Sequence, residues 1–578
     1  MLPKGDDTIY QSGLLAADEP QQRSWSPRLL SRLGWLALLF AVLAVLVVLP
    51  LLALILRGFI AIDGDRASAS LASFQKVLGD ASYWVAMGNT LVVSIGSMLL
   101  ATIIGTLLAW CLVRTNVPHR QFLERAAAMP IFIPPFIGAF AWILIGAPRI
   151  GLLNLSFRWL DLGQPFNVYS YLGIIWVMGI YIAPYVMMIV AGALRNMDPS
   201  LEEAGQVAGL SRLRTMLVIT LPVVAPAILS GAVLAFVVGI GLFGTPVLLG
   251  MAREIYLVTS RIYLELQQYP PDAGIVAVLA IYLMLLSVCA NAIQRRMLRG
   301  RSYVTLSGKG FRARLVTLGG LRIAVAAAIW LYLVFTVFAP VALIAAAAFS
   351  TYAWSGIFTW KHMQFLLQTV DVRTTLANSL FITIVAATAT TALGILIAWV
   401  TTRSRMLGKH LIEDVVLLPM SVPSLAFALG VFFFWLWIPW GLYGTVWIII
   451  VALIGRYASY SVRSISSSLI QVHPELEESA RICGLSWAGT LRRITLPLVL
   501  PSIVASWVMV YSIFVSELSI VLPLYTAETR TLSILSFDTW SIGQFSQVAA
   551  LSLLQLVMGV GVMVAVGLIN RRRGMAVV

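Results

Sequence analysis

The chain has 578 residues, 60% of them hydrophobic and only 11% charged, with a mean hydropathy of +0.93. Ordinary soluble domains carry about 25% charged residues, so this composition excludes a single soluble globule and points to an all-α polytopic membrane protein. The formal charge of +15 takes its meaning from where basic residues fall relative to the apolar runs, and no nucleic-acid role is read from it.

Residues 1–33 are polar and hold Pro, Ser and Arg, the composition of a cytosolic tail without a core of its own. The run 34–56 is too long for the core of a signal peptide and lacks a small-residue cleavage site, so it reads as the first membrane span. Further spans are expected near 87–113, 128–147, 171–197, 222–250 and 273–294, which completes a first half at 34–294. A basic linker at 295–321 leads to a second half at 322–570, with spans near 322–349, 376–401, 415–439, 443–469, 497–525 and 546–570, and a basic tail at 571–578. The expectation is twelve transmembrane helices, six in each half. Most of the 39 lysines and arginines then fall on the side of the N-terminus. The positive-inside rule therefore puts both termini in the cytoplasm, with the linker skirting anionic lipid.

The two halves repeat. The stretch 203–222, EAGQVAGLSRLRTMLVITLP, returns without a gap at 478–497 as ESARICGLSWAGTLRRITLP. Asn89-Thr90-Leu91 pairs with Asn378-Ser379-Leu380, Gly105 with Gly394, Arg114 with Arg403, Glu124 with Glu413, Pro130 with Pro419 and Pro134 with Pro423. Six spans per half give the copies the same orientation, as parallel repeats about an axis along the membrane normal. The first half carries the longer stretch between Pro134 and Pro199, and its surplus is expected around 149–169.

Local chemistry gives each repeated stretch a helix, turn, helix plan. Asp198-Pro199 is a sound helix start, and Glu202-Glu203 suit the first-turn dipole; His473 is a weaker cap in the second copy. Gly209 can adopt the left-handed conformation that ends the helix, and Ser211 can cap the next, which runs until Pro222 opens a span.

Glu203-Ala204-Gly205, Gly209 and Ile219-x-Leu221-Pro222, matched by Glu478-Ser479-Ala480, Gly484 and Ile494-x-Leu496-Pro497, resemble the cytoplasmic EAA loop of ABC importer membrane subunits. Gly205 stands for the second alanine of the pattern and Ser479 for the first. The resemblance implies a type I, MetI-like permease with EAA loops at 199–222 and 474–497, each loop offering a coupling helix to the ATPase. It further implies a homodimeric ABC ATPase on the cytosolic face, which binds ATP and Mg, and a periplasmic solute-binding protein on the outer face of a bacterial inner membrane. A tandem fusion of this length looks most like the ferric iron branch; fused thiamine and 2-aminoethylphosphonate permeases are similar. Glu203 and Glu478 are candidates for polar contact with the ATPase or for dipole-stabilising residues at a helix start.

Other chemistry is missing from the sequence. There is no Gly-x4-Gly-Lys-Ser/Thr phosphate loop, so the chain is expected to be a transport subunit without cofactor, not an enzyme. His119, His362, His410 and His473 are scattered without ligand spacing, and no metal site is expected. The three cysteines, Cys111, Cys289 and Cys483, fit no disulfide or metal spacing and read as small apolar packers. Arg456 in the tenth span and Glu517 in the eleventh are costly at membrane depth, so they line the pathway or form a structural ion pair. Pro134 and Pro423 either kink their spans or free carbonyls for a gate. An ion-coupled secondary transporter, the rival class, should show carboxylates in several spans and lack paired EAA loops.

Overall fold

The computed structural model describes residues 27–63, 66–298, 315–352, 355–404 and 408–572. Most of the expected tail 1–33, most of the linker and the last six residues lie outside these, and helix already begins at Pro27, ahead of the expected start at Gly34. Apart from a hairpin pairing Ile60–Asp63 with Arg66–Ala69 and two isolated bridges, the regular structure among the described residues is helical. Helices satisfy every backbone group within the segment, which lipid demands.

Ten helices are long and apolar enough to cross a membrane, or up to twelve segments if each of two bent pairs counts as one. The bent pairs correct the expectation of continuous spans at 128–147 and 415–439. Arg120–Phe132 meets Pro135–Gly146 at 99°, and Lys409–Ser421 meets Ser424–Trp437 at 113°. Pro134 and Pro423 stand at the breaks with extended backbone, ψ 136° and 141°. A proline disfavours the helical conformation in the residue before it, so the preceding helix stops and a new one starts at the break. These are near right-angle breaks rather than the kinks anticipated.

Proline acts more gently elsewhere. Four π-turns, Ala44–Val48, Met216–Thr220, Val334–Phe338 and Leu491–Thr495, lie just ahead of Pro50, Pro222, Pro340 and Pro497. Proline has no N–H for the carbonyl four residues back and crowds it, so the helix widens by one residue instead of breaking. The π-turns fall at matching places in the two halves.

Helix backbone beside the first of these prolines is packed closely. The helix that runs through Pro50 lies against the second half, where Gly430 and Gly455 receive it. A β-carbon on Gly455 would sit 2.5 Å from the Leu46 carbonyl oxygen, and one on Gly430 2.5 Å from that of Pro50. Reciprocally, the helix through Pro340 packs on the first half, while its C-terminal part also lies against the Phe545–Arg572 helix of its own half. Phe335 lies 6.2 Å from Trp142, Trp330 lies 5.9 Å from Phe122, and the Tyr332 hydroxyl donates to the Ile180 carbonyl at 3.1 Å. Each half is thus strapped by the first long helix of the other.

The spans expected at 222–250 and 497–525 are shorter. The helices stop at Gly241 and Val515; a short helix, Gly244–Gly250, then leads to Val258–Leu266 in the first half, and irregular backbone leads to Leu532–Ser541 in the second. These are held by the repeated Asn-Thr/Ser pairs. Thr90 Oγ1 accepts from the Val258 N–H and Ser379 Oγ from the Leu532 N–H, both at 2.8 Å. Asn89 donates to the Tyr256 carbonyl at 3.0 Å, and Asn378 to that of Glu528 at 2.7 Å. Free amides at a helix start are satisfied by a side chain from another span. The surplus of the first half holds an additional helix, Leu152–Trp159.

Candidate functional site

The helix, turn, helix plan is present in both copies. The first lever is Ser200–Val207 and the second Pro474–Ile482. Gly209 and Gly484 follow at φ +86° and +85°, a conformation that L side chains rarely adopt. The Ser200 N–H donates to Asp198 Oδ1 at 2.9 Å, as its capping role requires, whereas His473 makes no side-chain cap. Ser486 caps the second turn through the Gly489 N–H at 3.2 Å, and Ser211 makes a longer bond, 3.4 Å, to that of Arg214. The downstream helix does not end at Pro222 or Pro497, because the π-turns carry it through into the Leu221–Gly241 and Leu496–Val515 helices.

Burial separates the motif residues into two sets. Glu203, Ala204, Gly209, Glu478, Ser479 and Gly484 are exposed, as are Pro222 and Pro497, while Leu221 and Leu496 are half-buried. Gly205 and Ala480 are buried. A β-carbon on Gly205 would meet the Ile219 side chain at 2.4 Å, so the departure from alanine answers to packing against the helix that follows. Each lever also exposes an apolar pair at matching positions, Leu201 with Val207 (90% exposed) and Leu476 with Ile482 (85%). Apolar surface of this kind, repeated on two helices, marks an interaction face.

Glu203 and Glu478, the glutamates that open the motif, are exposed, and each follows another glutamate, Glu202 or Glu477. The neighbours are the buried carboxylates. Glu202 accepts from Thr220 Oγ1 at 2.6 Å and lies 3.8 Å from the Arg114 Nε; Glu477 accepts from Thr495 Oγ1 at 3.0 Å and lies 3.3 Å from the Arg403 Nε. The same arginines donate onward to backbone carbonyls ahead of the levers. Arg114 reaches Met197 at 3.4 Å, and Arg403 reaches Leu469 at 2.9 Å and Val472 at 2.6 Å. The signal is present in the sequence, since all three residue types recur at corresponding positions, but nothing local joins the repeated arginine to the glutamate of the first turn.

Arg456 and Glu517 do not form an ion pair among the contacts found. Glu517 lies beyond the end of its helix, not deep within it, and takes a 2.5 Å hydrogen bond from the Tyr457 hydroxyl and one of 3.2 Å from the Ile520 N–H. The buried Arg456 donates to Ser424 Oγ at 3.3 Å, and its guanidinium stands 5.4 Å from the Tyr457 ring. Tyr457 therefore stands between the two charges, and Ser424 ties the arginine to the break beside Pro423. Replacing Tyr457 by Phe removes the donor and leaves a carboxylate oxygen unmet; the expected cost is about 1–3 kcal/mol, read as a lowered thermal midpoint.

At the end opposite the levers, a cavity of about 440 Å³ is lined by residues of both halves, among them Ile143, Tyr169, Met251, Tyr263, Phe537 and Trp540. The cysteines are not all packers. Cys111 is half-buried, but Cys289 and Cys483 are exposed, the latter at the end of the second lever.

The chain matches, at residues 101–303 and again at 390–574, the family described as binding-protein-dependent transport system inner membrane component. It is 26% identical over 485 residues to the ferric transport system permease protein FbpB of Actinobacillus pleuropneumoniae, covering 82% of this chain and 69% of that protein. It is 24% identical over 517 residues to the Fe(3+)-transport system permease protein FbpB 2 of Haemophilus influenzae, covering 89% and 94%. The sulfate transport system permease protein CysT of Escherichia coli is 27% identical over 264 residues, which is 45% of this chain but 90% of that one. Two matched regions in one chain, and a relative that aligns nearly whole with less than half of it, mean that two permease units are joined. The chain belongs to the family of binding-protein-dependent transport system inner membrane components, as a fused two-half ABC importer permease of the iron branch.

Proposed function

We propose that the protein forms the complete translocation pathway of a ferric iron importer. Its twelve spans are two parallel six-span halves, 34–294 and 322–570, joined by the cytosolic linker 295–321, with the tails 1–33 and 571–578 on the same side. The levers face the cytosol, where each seats its apolar pair in one subunit of a homodimeric ATPase that binds ATP and Mg. A periplasmic binding protein delivers iron to the opposite face, near the cavity shared by both halves. Closure of the ATPase dimer draws the levers together, and the strapped halves rock between two packings, which is alternating access.

The observation that carries this reading is the pair of like-built levers, each with an exposed apolar face and a glycine in the left-handed conformation. The ferric permeases among the relatives support iron as the solute. Glu203 and Glu478 lie on the exposed faces and are the polar contacts of the docked lever. Reconstitution in liposomes with a candidate binding protein and ATPase from the same organism tests the proposal. Radioactive ferric iron is expected to enter only when all three proteins and ATP are present. Uptake by the chain alone down an ion gradient, or ATP-driven uptake of a different solute with none of iron, contradicts it.

A further inference from the structure

We infer that the two buried clasps, Arg114–Glu202–Thr220 and Arg403–Glu477–Thr495, convert movement of each lever into movement of the long helix behind it. This makes the six residues positioning residues of the coupling machinery. The inference rests on the proposal that the levers engage an ATPase.

Each lever packs chiefly on the helix that follows it in the chain. Its tie to the Ala81–Arg114 or Val370–Arg403 helix is the arginine at that helix's C-terminal end. That arginine holds the lever in two places, through the glutamate on its first turn and through carbonyls of the segment leading into it. A lever gripped at two points moves with the helix that grips it. The threonine adds the helix downstream, so three elements meet on one carboxylate.

The chemistry favours geometry over stability as the reason for these residues. Arg114 is fully buried, and Glu202 and Glu477 are 7% and 6% exposed. Withdrawing an ion pair from water costs nearly as much as its attraction returns, so an apolar contact would stabilise the loop as well. What an apolar contact lacks is direction, which the threonine-to-glutamate and arginine-to-carbonyl hydrogen bonds supply. Glu203 and Glu478, one residue along, are exposed.

The first clasp also reaches the end of the linker, just ahead of the second half. The Val316 N–H donates to the Arg114 carbonyl at 2.8 Å, the Asn116 N–H to the Val316 carbonyl at 3.2 Å, and the Leu318 N–H to Asn116 Oδ1 at 2.9 Å. This segment leads directly into the Leu321–Ala348 helix, which straps the first half. Motion at Arg114 is therefore passed to a helix of the other half as well.

The test uses the full chain in nanodiscs with its ATPase and binding protein, and reads the ratio of binding-protein-stimulated to basal ATP hydrolysis beside retention of the ATPase. Glu202→Gln with Glu477→Gln is expected to keep the ATPase bound while the ratio falls about tenfold or more, within the range seen when coupling residues are altered. Thr220→Val with Thr495→Val keeps shape and loses the hydroxyl, and the ratio is expected to fall about threefold or more; Thr220→Ser with Thr495→Ser keeps the hydroxyl and stays within about twofold. Should the glutamine pair fail to assemble, the valine and serine pairs decide alone. Valine variants as well coupled as the wild type, or serine variants as poorly coupled as valine, overturn the inference while the importer reading stands. A wild-type chain that engages no ATPase overturns both.

Discussion

Val207→Asp combined with Ile482→Asp is expected to abolish retention of the ATPase and all ATP-driven uptake, while leaving the permease folded. The two side chains are 90% and 85% exposed, so a charge there meets only water in the free chain. Surface changes of that kind shift stability by about 0.5 kcal/mol or less. On the proposed docking, the same charges would enter the interface with the ATPase without partners. Anchors buried at the centre of an interface lose at least about 2 kcal/mol each on truncation, and a stranded carboxylate loses more. Two such losses reduce binding by roughly a thousandfold or more, since every 1.4 kcal/mol is a factor of ten. Pull-down of the ATPase by tagged permease, paired with a thermal unfolding scan of the permease alone, reads both halves of the prediction. Undiminished pull-down contradicts the assignment of the levers as the docking elements.

Gly455→Ala and Gly430→Ala are each expected to destabilise the chain by about 3 kcal/mol or more, beyond the usual cost of one added methyl group. The added carbon would stand 2.5 Å from a backbone carbonyl oxygen, of Leu46 in one case and Pro50 in the other. A side chain in the way could rotate aside, but a carbonyl held in a helix cannot. The strap must shift, and with it the contact between the halves. Gly559→Ala is the control, because nothing lies within 4 Å of the added carbon there. Alanine at such a helical site stabilises by about 0.5–1 kcal/mol. Thermal midpoints of the three variants in one detergent separate the outcomes, and equal midpoints for Gly455→Ala and the wild type contradict the strapped arrangement.

Much of this architecture is legible in the sequence because it depends on local chemistry that repeats. Apolar runs of membrane length give the long helices. Gly209 and Gly484 foretell the lever turns, since a left-handed residue ends a helix whatever surrounds it. Proline positions foretell disturbances, but their form depends on context. Pro50 and Pro222 widen a helix, whereas Pro134 and Pro423 stand where it breaks at 99° and 113°. Span ends near Gly241 and Val515 were misplaced because the apolar run continues past them; hydropathy registers depth in the membrane, not helicity.

The site shows the same division. Exposure on the lever follows from helix periodicity only once the packed face is known, so Glu203 and Glu202 could not be ranked from their order in the chain. The crossing of Leu46 to Gly455 joins residues hundreds of positions apart and leaves no local trace except the glycine. Arg456 and Glu517 were recognisable by their cost at membrane depth, but the mediating role of Tyr457 was not, since a tyrosine among apolar residues carries no charge signal.

The exposed native thiol of Cys483, at the end of the second lever, offers the most direct measurement of the central claim. A membrane-impermeant maleimide is applied to intact cells and, separately, to inverted membrane vesicles, and the labelled peptide is identified by mass spectrometry. A cytosolic lever predicts that Cys483 is labelled in the vesicles and untouched in the cells. Labelling of Cys483 from outside intact cells would place the lever where no ATPase can reach it.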